Sequence, residues 1–264
     1  MYGFEFQRPQ TLADAIDALA QEDAQALGGG QTLIPTLKAR LAMPSTLVSL
    51  SAVPEIKGIC MGDDGAMCVG GGTTHAAVAK DGGAYPALAD LAGNIGDPAV
   101  RNRGTLGGSL ANNDPSACYP SAVLASGATI VTDRRSIEAD DFFQGMFATD
   151  LEEGELITEV RFPIPQAASY QKFIQPASRF ALVGVFVAKF ADGVRVAVTG
   201  ASEEGVFRWS DAEQALTQSF DASALDDLTV GSDGMITDLH GDAAYRAHLV
   251  KVLTLRAIKA MSGQ

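Results

Sequence analysis

Thr105-Leu106-Gly107-Gly108-Ser109 sits at the centre of a glycine-rich stretch that runs from Gly93 to Pro120. Glycines at this density let the backbone approach a ligand closely and turn its N–H groups toward an anion, because no Cβ stands in the way. Thr105 and Ser109 add hydroxyl donors, and Asn112, Asn113 and Asp114 just beyond can hold a sugar or polyol. One such run is as readily a tight turn packed for its own sake. A second run, Leu27-Gly28-Gly29-Gly30-Gln31-Thr32-Leu33, follows an apolar stretch and opens a helix, the arrangement that sets a helix N-terminus against a bound phosphate. Two separate cradles suit a ligand with two phosphates.

Other chemistries leave no trace. No G-x-G-x-x-G opens a βαβ unit, which argues against a Rossmann dinucleotide site, and G-x-x-x-x-G-K-[ST] is missing. H-E-x-x-H is absent, and no local motif pairs a nucleophile with a base. The reaction must then come from a cofactor, with the protein supplying binding, orientation and electrostatics. Cys60, Cys68 and Cys118 contain no C-x-x-C and no histidine at a metal-ligand spacing, so they read as buried thiols and the chain as lacking an iron–sulfur cluster of its own. Cys118 has the alternative of a ligand or cofactor attachment point.

The segments LGGGQTLIPTLKARL and DPAVRNRGTLGGSLANNDPSACYPSAVLASGA resemble the two flavin-binding signatures of the FAD-carrying medium subunit of molybdenum hydroxylases, the carbon monoxide dehydrogenase and xanthine dehydrogenase family. The later FIQPASRFALVGV resembles its third marker, and the likeness covers nearly the whole chain. It implies FAD as cofactor. The expected contacts are Leu27, Gly28, Gly29, Gly30, Gln31, Thr32 and Leu33 in the first run, Thr105, Leu106, Gly107, Gly108 and Ser109 in the second, then Asp114, the backbone at Ile157, and Gln175 in the 175–182 loop. It also implies a two-subdomain FAD-binding domain of the PCMH, vanillyl-alcohol-oxidase-like, type followed by a C-terminal domain. As partners it implies a large molybdopterin subunit and a small 2Fe-2S subunit, in a dimer of heterotrimers, with electrons passing from the clusters through FAD to an acceptor. Residues 128–141 lack the cysteine-bearing insertion of the related benzoyl-CoA reductases. The alternatives are a self-sufficient FAD-dependent oxidase and a flavin-free scaffold.

His75, after Gly70-Gly71-Gly72-Thr73-Thr74, is either a polar helix-start residue or a contact near the cofactor. Phe180 either covers the isoalloxazine or plugs the core. Arg101 and Arg103 read as loop-fixing partners of Asp97 and Asp114 rather than phosphate ligands.

A chain of 264 residues with 47% hydrophobic and 19% charged residues can bury a full core. The net charge of −13 argues against nucleic acid, which needs clustered Lys and Arg on one face. No apolar run is long enough for a bilayer, and MYGFEFQRPQ lacks a leader's charged and apolar regions, so a cytoplasmic protein is expected.

The elements that must hold these residues follow an α+β order. Strands at Phe4–Phe6, Gln25–Leu27 and Thr46–Leu50 alternate with a helix capped by Thr11 and one capped by Gln31 or Thr32 with a Leu33, Leu37, Leu41 stripe. A hairpin turns at Gly62–Gly65, Thr73 caps a helix over 76–80, and another helix runs from Tyr85 to Ala92. Residues 122–131 read as strand, 140–147 as a short helix, and 155–163 as the last strand of domain 1–165, whose subdomains divide near residue 53. Domain 169–264 is expected to hold a three-stranded antiparallel sheet with an Asp192-Gly193 turn, under a helix starting at Ser210 or Asp211 and a long one over 242–261 with Tyr245, Leu249, Val252 and Leu253 inward.

Overall fold

In the computed structural model, which describes residues 1–263, the first 53 residues form a small parallel sheet. Its elements are β1 (Glu5–Gln7), α1 (Leu12–Leu19), β2 (Ala24–Leu27), α2 (Leu33–Lys38) and β3 (Thr46–Ser49), with strand order β1-β3-β2. Helix α1 begins where the Thr11 hydroxyl accepts the Asp14 N–H at 3.1 Å, and it lays Ala15, Ala18 and Leu19 on Val48, Val53 and Ile56. Thr32 precedes α2 without a side-chain cap. The expected leucine stripe there is cut short: Leu37 is buried but Leu41 is 79% exposed, because Arg40 adopts φ +58 and turns the chain out of the helix.

The second layer contains β4 (Ile59–Met61) and β5 (Met67–Gly70), the expected hairpin, followed by α3 (His75–Asp81), α4 (Pro86–Gly93), α5 (Pro98–Arg101), α6 (Leu106–Asn112), α7 (Tyr119–Ser126) and β6 (Thr129–Thr132). Thr74, not Thr73, caps α3; Thr73 instead exchanges hydrogen bonds with both backbone groups of Gly58, at 3.0 and 3.1 Å. Residues 122–126, expected as strand, belong to α7. Every side of that helix is buried, so its sequence carries no period that separates it from a buried strand. Then come β7 (Ser136–Glu138), α8 (Ala139–Phe142), β8 (Phe143–Gly145), β9 (Ala148–Thr149) and β10 (Ile157–Phe162), so the helix expected over 140–147 stops at Phe142 and turns into a two-stranded hairpin. The five-stranded sheet has order β4-β5-β10-β6-β7 and all its pairings are antiparallel.

The last part is a four-stranded antiparallel sheet, β11 (Ala167–Ile174), β12 (Ala181–Lys189), β13 (Val194–Ser202) and β14 (Gly205–Arg208), with α9 (Ser210–Gln218) and α10 (Ala243–Ser262). The expectation of three strands misses β14. Four residues after a turn through Gly205 at φ +92 are too few to show alternation. The β12–β13 turn is closed by the Phe190 N–H on the Gly193 carbonyl at 2.8 Å, so Gly193 ends the turn rather than forming its centre. Strand β12 is buried on both faces. Val183, Val185 and Val187 meet Leu249, Val250 and Leu253 of α10, while Phe186 and Ala188 meet the core shared with α4 and α7. Of the four α10 residues expected inward, Leu249 and Leu253 are buried, Val252 is half-buried, and Tyr245 is 40% exposed. Arg246 is buried in that face instead.

No helix among the described residues is long and apolar enough to cross a membrane.

Candidate functional site

The two glycine runs fold against each other. A Cβ on Gly28 would stand 2.9 Å from Thr105 Oγ1, and Gly29 faces the Arg103 carbonyl with no room for a side chain. Gly30, at φ +72, then bends the chain into α2. Among the described residues, none of the backbone N–H groups from Gly29 to Leu33 has a protein acceptor. They line a cleft of about 740 Å³ that also takes in Gly71, Gly72, Thr74, Ile157 and the tip of the 175–182 loop. A row of unpartnered N–H groups ending on a helix start is an anion site by geometry and by dipole.

The second run behaves differently. The Leu106 N–H donates to the Thr73 carbonyl at 3.0 Å and the Gly107 N–H to the Gly71 carbonyl at 2.8 Å, so these donors stitch α6 to the 70–72 turn. The Gly108 N–H caps on Thr105 Oγ1 at 3.2 Å. Gly107 is a packing glycine, since a Cβ there would stand 2.8 Å from the Gly71 carbonyl oxygen, whereas Gly108 is exposed on the cleft wall.

His75 begins α3 beneath this wall. Its N–H donates to the Gly104 carbonyl at 3.0 Å, and its Nε2 would stand 2.5 Å from a Cβ on Gly104. The ring is buried, lines the cleft, and leaves Nδ1 without a hydrogen-bond partner. Burial, and then the nearby Arg101 cation, hold its pKa down to about 4, so it is neutral near pH 7.

Residues 2–165 match the family of FAD binding domains in molybdopterin dehydrogenases. The chain belongs to this family. Its sequence is 37% identical to the nicotine 6-hydroxylase medium subunit of Paenarthrobacter nicotinovorans, over 95% of this chain and 94% of that one. It is 31% identical to the carbon monoxide dehydrogenase medium chain of Hydrogenophaga pseudoflava, over 97% and 96%. Among solved structures it superposes on quinoline 2-oxidoreductase from Pseudomonas putida 86 with a TM-score of 0.88 at 31% identity, covering 99% of this chain and 98% of that one. As a member of the molybdopterin dehydrogenase FAD-domain family, it is an oxidoreductase component whose cofactor is FAD.

The residues present fit that cofactor. The N–H row at Gly29–Leu33, the glycine cradle that a Cβ would fill, and the orphaned His75 Nδ1 are polar features in search of a ligand. Of the residues anticipated for this FAD domain, Leu27 to Leu33, Thr105, Gly107, Gly108, Ser109, Asp114 and Ile157 line the cleft. Leu106 and Gln175 do not. Leu106 is a core side chain, and the Gln175 carboxamide oxygen accepts the N–H groups of Ala177 at 2.6 Å and Ser178 at 2.9 Å, shaping its own loop. That turn carries Ser178, Arg179 and Phe180 to the cleft. Phe180 borders the cleft, and its ring stands edge-on to His240 at 5.7 Å where it packs against the C-terminal core.

Arg101 fixes its loop through the Ile95 and Gly96 carbonyls, both at 3.1 Å, and not through an acidic side chain. Asp97 and Asp114 accept backbone N–H groups instead, from Val100 at 2.9 Å and Ser116 at 2.8 Å. Arg103 makes no ion pair or side-chain hydrogen bond among the described residues and borders the cleft, which corrects the loop-fixing expectation for it. Asn113 turns away as well. In the left-handed conformation at φ +40, its Nδ2 donates to Gly145 and Ala148 at 2.8 Å and anchors the β8–β9 hairpin. Cys68 and Cys118 are buried thiols as expected, but Cys60 is exposed on edge strand β4. Sequence reasoning overlooked Lys57, Lys172 and Arg179, which add positive charge to the cleft; they come from three distant segments and share no local motif.

Proposed function

We propose that the chain is the flavoprotein subunit of a molybdenum-containing hydroxylase or dehydrogenase, taking electrons from iron–sulfur clusters of a small partner subunit and passing them to an external acceptor. The observation that carries this reading is the row of unpartnered N–H groups from Gly29 to Leu33 facing a glycine-walled cleft. Bound FAD supplies the redox chemistry. The N–H row would hold its pyrophosphate, each charge-assisted bond contributing about 1.5–3 kcal/mol, enough for a few to outweigh a screened acidic surface. Gly108 would let the backbone of α6 approach, Asp114 would accept from a hydroxyl, the Ile157 backbone would meet the ring system, and Phe180 would exclude water from one side.

In this reading residues 1–165 form the PCMH-type FAD-binding domain, with subdomains 1–53 and 54–165, and residues 169–264 the C-terminal flavoprotein domain. The partners are a large molybdopterin subunit and a small 2Fe-2S subunit in a dimer of heterotrimers. The three free thiols suit the reducing cytoplasm. The cleft wall lends no support to a self-sufficient oxidase. His75 is held neutral with a pKa near 4, and Glu155 is locked by Arg135 at 3.0 Å, which leaves no pair poised to take a proton from a substrate near pH 7.

The test is cofactor stoichiometry. Acid precipitation of the purified chain should release one yellow flavin per chain, bound noncovalently; a colourless chain that shows no heat on titration with FAD would overturn the reading.

A further inference from the structure

The outward face of the five-stranded sheet carries a second cluster of side chains, away from the cleft. Cys60 on β4 and Cys68 on β5 are direct register partners, and Glu159 lies on the adjoining strand β10. One ligand atom from each residue, the two Sγ atoms and a carboxylate oxygen, all lie within 4.8 Å of one another. Met67 and Val69 point into the core, so Cys68 between them points to the opposite face. Cys60 is exposed, giving solvent a route to the cluster, while Cys68 is buried. Arg161 holds the Glu159 carboxylate from one side at 2.7 Å.

We propose that Cys60, Cys68 and Glu159 form a binding site for a soft divalent cation of the zinc type, completed by a water molecule. Two sulfurs and one carboxylate oxygen are a donor set that zinc accepts in a tetrahedral site. With Zn–S near 2.3 Å, ligand atoms on such an ion stand about 3.7 Å apart, so the three ligand atoms would draw together on binding. Binding forms two zinc–sulfur bonds and one zinc–oxygen bond and releases both thiol protons to solvent. The site would then carry one net negative charge, which the Arg161 guanidinium neutralises. The ion would clamp the edge hairpin β4–β5 to central β10. Gly70 pairs with Glu159 there, and the adjacent Gly71 packs against Ile157 in the cleft wall.

The experiment uses the reduced full chain with FAD bound, titrated with Co²⁺ and then Zn²⁺. One Co²⁺ per chain should bind with thiolate-to-cobalt charge-transfer bands, Zn²⁺ should displace it, and Zn²⁺ should raise the melting temperature. Cys60→Ser should weaken Zn²⁺ binding at least tenfold and remove most of the charge-transfer intensity, leaving FAD content and zinc-free melting unchanged. Glu159→Gln should weaken binding while keeping the bands. Absent bands, zinc affinity unchanged in Cys60→Ser, or isolation of a Cys60–Cys68 disulfide that takes up no metal after reduction would each overturn the proposal.

Discussion

Gly29 and the carbonyl oxygen of Arg103 lie too close for any side chain to stand between them, and this contact joins the two glycine runs into one wall. A methyl at residue 29 must therefore part the loops. Gly29→Ala is expected to cost about 1–3 kcal/mol of stability through overpacking and to weaken FAD binding at least tenfold, about 1.4 kcal/mol. Thermal unfolding and flavin-fluorescence titration read the two effects, and parent-like values in both would refute the contact.

The two central glycines of the second run should separate cleanly. Gly108 is exposed on the cleft and meets only Thr105 Oγ1, whereas Gly107 is pressed against the Gly71 backbone. Gly108→Val should lower FAD affinity at least tenfold with little loss of stability, and Gly107→Ala should chiefly lower the melting temperature. Cys118→Ala should leave FAD affinity nearly unchanged. Equal FAD binding by Gly108→Val and the parent would show that the cofactor does not use this wall.

Acid should destabilise the fold in two overlapping steps. Burial and Arg101 keep folded His75 at about 4 against an ordinary 6.5, so the unfolded chain binds the proton first and stability falls as pH drops from about 6.5 to 4. The upper limit of this loss is about 3 kcal/mol. Burial would raise the Glu155 carboxyl, but hydrogen bonds from Arg135, the Glu152 N–H and Thr132 outweigh it and hold it at about 2, so its contribution is lost between about 4.5 and 2. Urea midpoints against pH should show both, and His75→Gln should flatten only the upper step.

Arg246 is the buried cation of the C-terminal half. Its Nη1 donates to the Leu182 and Gly200 carbonyls, both at 2.7 Å, and its Nη2 to Asp238 at 2.7 Å. Arg246→Leu leaves the Leu182 and Gly200 carbonyls without their donor, and a loss of about 1–3 kcal/mol is expected. Chemical denaturation measures it; a loss below 1 kcal/mol would mean that water replaces the guanidinium.

The isolated chain should show no dye reduction with carbon monoxide, aldehydes or purines. Co-expression with molybdenum and iron–sulfur subunits should yield a stable complex whose flavin bleaches on adding substrate, through an interface that is large and partly apolar. Substrate-driven bleaching in the isolated chain would instead favour a self-sufficient oxidase.

What was legible in the sequence was local. Glycine runs mark where the backbone must come close to something, and the Thr11 cap, the 62–65 hairpin and the alternation in β12 and β13 depend on residues a few positions apart. The first phosphate cradle belongs to this class. Its unpartnered N–H groups follow from a strand, three glycines and a helix start in immediate succession.

What only the tertiary structure decided was which glycines face the ligand and which face the protein. Gly107 and Gly108 are chemically identical neighbours, yet the 70–72 turn, far away in the chain, takes the N–H of the first and leaves the second on the cleft. The same holds for Cys60 and Cys68, which strand register sets side by side. Burial on every side likewise erased the period of α7, making helix and strand indistinguishable until its neighbours were in place. Local pattern reports what a backbone can do; long-range packing decides which of its donors are already occupied.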